Sequence, residues 1–277
     1  MGFVRALPRR IVDRLRRALA RPNPEAAFFL GNQKSGTTAI AALTAKLTGA
    51  TATIDLMNAN RESVWPRLWS GEMSFDELVA RNRLDFSRQI VKEPSLSPFV
   101  AQLLEHFPRS RGIVAIVRDP RDNIRSILDR HKLPGDLEDL PAGTIAGMPG
   151  GWSTVFDSRW LGAPPGNYIV QLAYRWHFIT SRFREHGARI HVVRYEDFLR
   201  DKPGFLEMLA GRLELPPRHD VRGEVDRQFQ PAGKPGRDWR DYFGATNLAI
   251  INEICADQMR PLDYDPLAHA PTWTRPG

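Results

Sequence analysis

The chain has 277 residues, of which 42% are hydrophobic and 26% are charged, and its formal net charge is +7. This composition excludes a disordered chain, and no run approaches the ~20 apolar residues of a membrane-spanning helix. A single cysteine, Cys255, excludes an intrachain disulfide and a cysteine-based zinc cluster. It indicates a reducing compartment, so we expect a cytoplasmic protein.

The positive charge is concentrated in residues 1–24, which we call the N-terminal arm. The arm holds seven arginines against one aspartate, a net charge of +6, so the other 253 residues carry only +1. Aliphatic side chains recur at every fourth position, at Leu7, Ile11, Leu15 and Leu19. This spacing predicts a basic amphipathic helix. Three interpretations stay open: a helix packed on the domain, a peripheral helix on the inner face of a membrane through residues 1–22, and nucleic-acid binding, which the lack of interleaved aromatics disfavours.

Strand-like and helix-like segments alternate along the rest of the chain. Apolar runs predict strands at 26–30, 52–56, 89–91, 112–117 and 189–193. Helical patterns lie at 38–47, 74–82, 97–107, 120–129, 171–186, 204–213 and 245–259. The alternation predicts an α/β fold whose mostly parallel sheet has helices on both faces, in one domain over 25–277. Residues 131–166 are rich in Gly and Pro and predict a substrate-side insertion.

The first predicted strand leads into a glycine-containing turn and then a helix. We call residues 31–38, with the sequence Gly-Asn-Gln-Lys-Ser-Gly-Thr-Thr, the phosphate loop. Unpaired N–H groups at a helix N-terminus bind anions, and Lys34 adds a positive charge. A nucleotide triphosphatase loop reads G-x-x-x-x-G-K-[ST], but here Thr37 occupies the lysine position. The loop is thus of the P-loop type, with its lysine displaced to a position before Gly36, which weakens a kinase interpretation without excluding it.

The fourth predicted strand ends in a second turn with anion-binding character. Residues 118–121, Arg-Asp-Pro-Arg, form what we call the second loop, and Ser126 follows in the next helix. Arg118 is predicted at the strand's carboxyl end, in the same crevice as the phosphate loop, where a guanidinium with a nearby hydroxyl binds phosphate. Arg121 and Arg125 are predicted instead to form a solvated helix face with nearby aspartates.

The two loops, taken in this order, resemble those of the sulfotransferases that use 3′-phosphoadenosine-5′-phosphosulfate (PAPS). In that family the phosphate loop binds the 5′-phosphosulfate, here through Lys34, Ser35, Gly36, Thr37 and Thr38. The Arg and Ser of the second loop region bind the 3′-phosphate, here Arg118 and Ser126. The resemblance implies PAPS as the donor, no required metal, and Lys34 as the group that stabilises the leaving oxygen.

Two further segments extend the resemblance. Residues 193–199, Val-Arg-Tyr-Glu-Asp-Phe-Leu, are similar to the family's strand-end segment, whose tyrosine lies by the adenine; here it is Tyr195. Residues 233–239 match the family's late loop only loosely, and their Gly-Arg-Asp-Trp part resembles bacterial members. This match makes Lys234, Gly236 and Arg237 cofactor contacts by resemblance.

The catalytic base departs from the pattern of the cytosolic small-molecule enzymes. Those enzymes carry a His after a strand-end Lys-Thr pair, whereas this chain reads Val91-Lys92-Glu93-Pro94-Ser95. Glu93 is therefore the predicted base beside Lys92, as carboxylates serve in carbohydrate sulfotransferases, with Glu62 as second candidate. The alternative is that Glu93 forms a surface ion pair with Lys92 or Arg88.

The predicted acceptor is a carbohydrate or glycolipid hydroxyl, because the His-type base of the phenol and steroid enzymes is missing. Four tryptophans could stack on sugar rings or line an apolar pocket: Trp65, Trp69, Trp152 and Trp160. Two other functions stay open, a P-loop kinase that uses Mg²⁺-ATP and a nucleotide-binding protein that has lost its base.

Overall fold

The computed structural model describes residues 19–62, 64–149, 151–226 and 238–268. It contains one five-stranded sheet in which every neighbouring pair is parallel. The strands are β1 (Ala27–Gly31), β2 (Ala52–Ile54), β3 (Ile90–Lys92), β4 (Gly112–Val117) and β5 (Ile190–Arg194). Their order is β2-β3-β1-β4-β5, so the winding reverses between β1 and β4. Ligands of such sheets bind beyond the carboxyl ends of the strands at this switch point.

Helices connect the strands and follow the last of them. The described α-helices are α1 (Thr37–Thr48), α2 (Met57–Glu62), α3 (Trp65–Ser70), α4 (Phe75–Arg81), α5 (Arg83–Phe86), α6 (Val100–His106), α7 (Pro120–His131), α8 (Ser153–Phe156), α9 (Tyr168–Glu185), α10 (Tyr195–Arg200), α11 (Lys202–Arg212) and α12 (Trp239–Met259). Short 3₁₀ helices lie at Pro94–Phe99, Arg159–Leu161, Gly187–Arg189 and Arg260–Leu262. None of the described helices is long and apolar enough to cross a membrane.

Helices cover both faces of the sheet. Successive side chains of a strand point to opposite faces, so alternate residues pack against different helices. In β4, Ile113 and Ala115 pack in the buried cluster that contains residues of α9 and α12. Val114 and Ile116 pack in the second cluster, with residues of α1 and α11. This double burial explains why β4 is apolar throughout. The predicted α/β fold, with a parallel sheet between helical layers, is confirmed.

The predicted elements differ from the observed ones mainly at their ends. Strand β2 ends at Ile54 because Asp55 adopts a left-handed backbone conformation, with φ of 67°. The first three residues of the helix predicted over 97–107 belong to a 3₁₀ helix, and the chain becomes α-helical only at Val100. Pro98 lies in that 3₁₀ segment and has no N–H group to donate.

Residues 131–166 do not all lie on the surface. The second half of this segment contains α8 and a 3₁₀ helix, and Val155, Phe156 and Leu161 are buried in the main cluster. Its substrate-side role stays a prediction. Most of the N-terminal arm, residues 1–18, lies outside the described residues, so its helix and membrane contact also stay predictions.

The second loop is held by buried charges rather than exposed to solvent. The Arg121 guanidinium donates from Nε and Nη2 to the Asp119 carboxylate, at 2.9 and 2.7 Å, and lies 3.8 Å from the Trp239 ring centroid. Its Nη1 donates to the carbonyls of Asp265 and Ala268 at 2.9 and 2.8 Å. The predicted solvated face is therefore wrong for Arg121.

Arg125 is buried as well, and its Nη2 pairs with Asp122 at 2.7 Å. The solvated face is thus wrong for both arginines. Carboxylate, carbonyl and ring partners replace the hydration that a buried guanidinium loses.

A second buried contact ties the C-terminal part of the described chain to the same loop. Glu196 accepts a hydrogen bond from the Asp119 backbone N–H at 3.1 Å and another from the Tyr264 hydroxyl at 2.6 Å. Burial raises the pKa of Glu196, and burial beside this carboxylate raises the pKa of Tyr264 well above its usual value. The loop that carries Arg118 is therefore braced by residues far along the chain.

Removing the Tyr264 hydroxyl should destabilise the protein, because Glu196 would lose a buried donor. We expect Tyr264→Phe to lower the free energy of unfolding by about 1–3 kcal/mol in urea denaturation. The matched control is Tyr174→Phe, since the Tyr174 hydroxyl makes only a 3.4 Å contact with the Leu161 carbonyl. Equal stability of the two variants would contradict the bracing role.

Candidate active site

The phosphate loop lies at the carboxyl end of β1 and leads into α1. Lys34 and Gly36 both adopt left-handed backbone conformations, with φ of 68° and 86°, and Gly36 is the N-cap of α1. The loop thus turns sharply enough to direct the first N–H groups of α1 outward. This arrangement suits a bound phosphate, as the sequence predicted.

Position 36 requires glycine for two reasons, its left-handed backbone conformation and the close approach of the Tyr195 ring. A Cβ atom at this position would lie 2.3 Å from two ring carbons of Tyr195. Tyr195, at the start of α10, therefore packs directly against the turn of the phosphate loop. The structure brings together two segments that are far apart in the sequence.

Asn123 in α7 holds the phosphate loop in shape. Its Nδ2 donates to the Gln33 carbonyl at 2.8 Å and to Ser35 Oγ at 3.1 Å, while its Oδ1 accepts from Asn32 Nδ2 at 2.7 Å. Asn123 and Ser35 are completely buried. The Ser35 side chain thus supports the loop from within, and Asn123 is a residue that the sequence analysis missed.

Arg118 lies where β4 ends, and it contacts the phosphate loop and Tyr195. Its Nη1 donates to the Lys34 carbonyl at 3.2 Å, and its guanidinium lies 5.1 Å from the Tyr195 ring centroid. Its own carbonyl accepts from Trp176 Nε1 at 2.9 Å. Ser126 is buried two turns into α7.

Only some of the remaining residues that were predicted to bind the cofactor are described by the structure. Thr37 and Thr38 begin α1, with the Thr37 side chain buried and Thr38 half-buried. Lys234, Gly236 and Arg237 lie outside the described residues. The described residues that were predicted to bind the cofactor lie in the phosphate loop, at the ends of β4 and β5, and in α7.

Lys34 lies in a partly buried and positively charged environment. Burial, followed by the positive charges of Arg118 and Arg130, lowers the pKa of Lys34 to about 8, although Asp129 opposes the shift. A bound phosphate would supply the negative charge that this environment favours.

The other predicted catalytic residues lie on the β3 side of the phosphate loop. Lys92 is buried, and its Nζ donates to Asp55 Oδ1 at 2.6 Å. Glu93 does not pair with it on the surface, because Glu93 is only 1% exposed. The Glu93 carboxylate accepts from the backbone N–H groups of Leu56 and Ser95, at 2.8 and 2.9 Å.

A third donor, Asn60 Nδ2, also binds the Glu93 carboxylate, at 2.8 Å. Burial, and next the charge of Asp55, raises the pKa of Glu93. The Asp55 side chain is 34% exposed at the end of β2. Asp55 is therefore the carboxylate of this group that an incoming molecule can reach, and the sequence analysis did not identify it.

Glu62, the second candidate base, is exposed and lies 3.4 Å from Arg81 Nη1. Within the part of the chain that the structure describes, no group of three or more His, Cys, Asp or Glu side chains is placed to hold a metal ion.

Aromatic side chains form a cluster around Trp69. Trp69 is 37% exposed, and its ring makes edge contacts with Trp160, Phe178 and Phe99 at centroid distances of 6.2, 5.5 and 6.0 Å. Trp65, by contrast, is a core residue.

Comparison with known proteins gives one family and many structures of similar fold. The model of the sulfotransferase domain family matches residues 24–231. No curated protein is significantly similar to the chain. Sulfotransferase STF9 from Mycobacterium avium is 15% identical with a TM-score of 0.57, covering 92% of this chain and 81% of its own. Mouse sulfotransferase SULT7A1, complexed with PAP, is 15% identical with a TM-score of 0.50, and 88% of each chain is covered.

The charge on Lys34 should make anion binding at the phosphate loop pH-dependent. With a pKa of about 8, Lys34 is mostly charged at pH 7 and mostly neutral at pH 9. We expect calorimetry to show that the affinity for 3′-phosphoadenosine-5′-phosphate (PAP) falls about ten-fold over this interval. The reason is that the neutral Lys34 that predominates at pH 9 must take up a proton before its charge can bind a phosphate.

Lys34→Arg is the control for this pH dependence, because a guanidinium stays charged across the same range. Its PAP affinity should be nearly constant between pH 7 and 9. A flat wild-type profile would contradict the lowered pKa of Lys34.

Proposed function

Because the chain belongs to the sulfotransferase family, we propose that it transfers the sulfuryl group of PAPS to a hydroxyl of a carbohydrate or glycolipid. The match of the family model to residues 24–231 confirms the family resemblance and the prediction of a sulfotransferase enzyme. The observation that carries the donor assignment is the convergence of Lys34, Arg118 and Tyr195 around one turn.

The donor would extend from the phosphate loop toward the ends of β4 and β5. Lys34 and the N–H groups of Gly36, Thr37 and Thr38 would bind the 5′-phosphosulfate, with Ser35 supporting the turn.

At the other end of the donor, Arg118 and Ser126 would bind the 3′-phosphate. The Tyr195 ring, beside Arg118, would pack near the adenine. PAP in the mouse protein of similar fold is consistent with this donor. Lys234, Gly236 and Arg237 remain proposed contacts.

The transfer itself requires alignment, a charged leaving-group site and a base. The acceptor oxygen forms a bond to sulfur while the bond from sulfur to the phosphate oxygen of PAPS breaks. The proton of the acceptor hydroxyl goes to a carboxylate, and PAP leaves with the electron pair. Lys34, when charged, would stabilise the oxygen on which that negative charge develops.

The acceptor would approach from the β3 and β2 side, because the donor occupies the β4 and β5 side. Of the two carboxylates there, Glu93 is enclosed by three N–H donors, and Asp55 is partly exposed. A base must come within hydrogen-bond reach of the acceptor proton. We therefore favour Asp55 as the base, held by Lys92, and Glu93, the base predicted from the sequence, as the second candidate.

The aromatic group formed by Trp69, Trp160, Phe178 and Phe99 supports a ring-bearing or lipid-linked acceptor. Its partly exposed indole offers an apolar face suited to a sugar ring. A membrane-bound acceptor would suit the basic N-terminal arm, and a cytoplasmic location remains part of the proposal.

Donor binding tests this function directly. We expect calorimetry to detect PAP binding to the wild type and at least ten-fold weaker binding to Arg118→Ala, because the 3′-phosphate loses its guanidinium. Arg109→Ala is the control, since Arg109 pairs with Glu25 near the amino ends of β1 and β4, at the end of the strands opposite the phosphate loop. Binding of Mg²⁺-ATP but not PAP would support a kinase instead.

The identity of the base can be tested with Asp55→Asn and Glu93→Gln, using labelled PAPS with octyl glucoside and 2-naphthol as acceptors. We expect Asp55→Asn to lower kcat at least 100-fold with PAP affinity unchanged. Glu93→Gln should mainly lower the free energy of unfolding, because an amide cannot accept all three N–H groups.

The opposite result assigns the base to Glu93: full activity in Asp55→Asn, with a stable but inactive Glu93→Gln. PAP binding without transfer to any acceptor would favour a non-catalytic nucleotide-binding protein.

A further inference from the structure

Two arginines are buried near the candidate site, and they differ in their partners. Arg121 and Arg175 are each 1% exposed. Arg121 has the Asp119 carboxylate, two carbonyls and the Trp239 ring. Among the described residues, no carboxylate lies within 4.0 Å of the Arg175 guanidinium. A buried charge without a counter-charge is costly, so this contrast calls for an explanation.

The contacts of Arg175 are few and long. Its Nε donates to Gln33 Oε1 at 3.3 Å, and its Nη1 donates to the Thr154 carbonyl at 3.5 Å. The Trp160 ring centroid lies 5.8 Å from the guanidinium carbon. Burial alone lowers the pKa of Arg175 to about 10. The side chain remains a cation at neutral pH, and no carboxylate of the described residues offsets its charge.

The position of Arg175 connects it to both halves of the proposed reaction. Gln33 immediately precedes Lys34 in the phosphate loop, and its Nε2 donates to Ser95 Oγ at 3.2 Å, next to Glu93. Thr154 and Trp160 belong to the segment predicted to lie on the substrate side. Arg175 thus lies between the donor loop and the acceptor side.

We propose that Arg175, positioned by Gln33, binds an oxyanion at the junction of donor and acceptor. This inference rests on the proposed function. The oxyanion is either the sulfuryl group of PAPS or an acidic group on the acceptor, because both present oxygens that a guanidinium binds through parallel hydrogen bonds. Either one supplies the counter-charge that the described part of the chain does not give Arg175.

Binding measurements on Arg175→Met separate the two sources. If the sulfuryl group is the ligand, PAPS affinity falls at least ten-fold while PAP affinity stays the same. If an acidic acceptor is the ligand, PAPS and PAP affinities are unchanged. The PAP-loaded wild type then prefers 4-nitrophenyl glucuronide to 4-nitrophenyl glucoside, and the variant loses this preference. Arg175→Gln, which keeps a donor without the charge, should behave like Arg175→Met.

Thermal unfolding without ligand gives an independent readout. Arg175→Met should keep or raise the Tm, because it removes an uncompensated buried charge. Arg121→Met is the matched control and should lower the Tm, because it leaves Asp119 buried without its partner. A Tm loss for Arg175→Met as large as that for Arg121→Met would overturn the inference.

The outcomes also separate this inference from the proposed function. If the wild type binds neither PAP nor PAPS, the proposed function fails. If the wild type binds both and the Arg175 variants match it for PAPS, PAP and the glucuronide, only the oxyanion site fails.

Discussion

The site depends on the hydrogen bonds by which Asn123 joins α7 to the phosphate loop. One amide binds a carbonyl, a hydroxyl and a second amide of that loop, at a position completely closed to solvent. These bonds fix the loop after β1 against the helix after β4, the two neighbouring strands at the switch point. Lys34 and Arg118 are therefore held in a fixed relation to each other, which would lower the entropic cost of binding the proposed donor.

Much of the fold followed from patterns that are local in the sequence. The apolar run of β4 and the turn at Gly36 have direct causes in burial and backbone conformation, and both were predictable. Asn123, Asp55 and Arg175 were not, because their importance comes from partners more than thirty residues away. A charged or polar residue in a predicted helix is expected to be exposed, and only the packing of the folded chain shows that it is buried.

Arg121 shows most clearly that burial of a charged residue cannot be predicted from the neighbouring sequence. From the sequence it belongs to a charged helix start, and solvation is the natural interpretation. Its burial depends on carbonyls of Asp265 and Ala268 and on the Trp239 ring, none of which a local window includes. Glu93 shows the same effect, since its enclosure depends on Leu56 and Asn60, which come before α3. The residue types at the site were readable, but their access to solvent was not.

The bracing of the second loop has a consequence for how the protein acquires its shape during synthesis. The carbonyls that complete the Arg121 environment lie 144 and 147 residues later in the chain. On the ribosome, β1, β4, the phosphate loop and the second loop emerge well before these partners are synthesised. Until then Arg121 has only Asp119 and nearby groups to offset its desolvation. The nascent chain therefore gains the full environment of Arg121 late, and a fragment cut at residue 231, where the family match ends, would lack these two carbonyls.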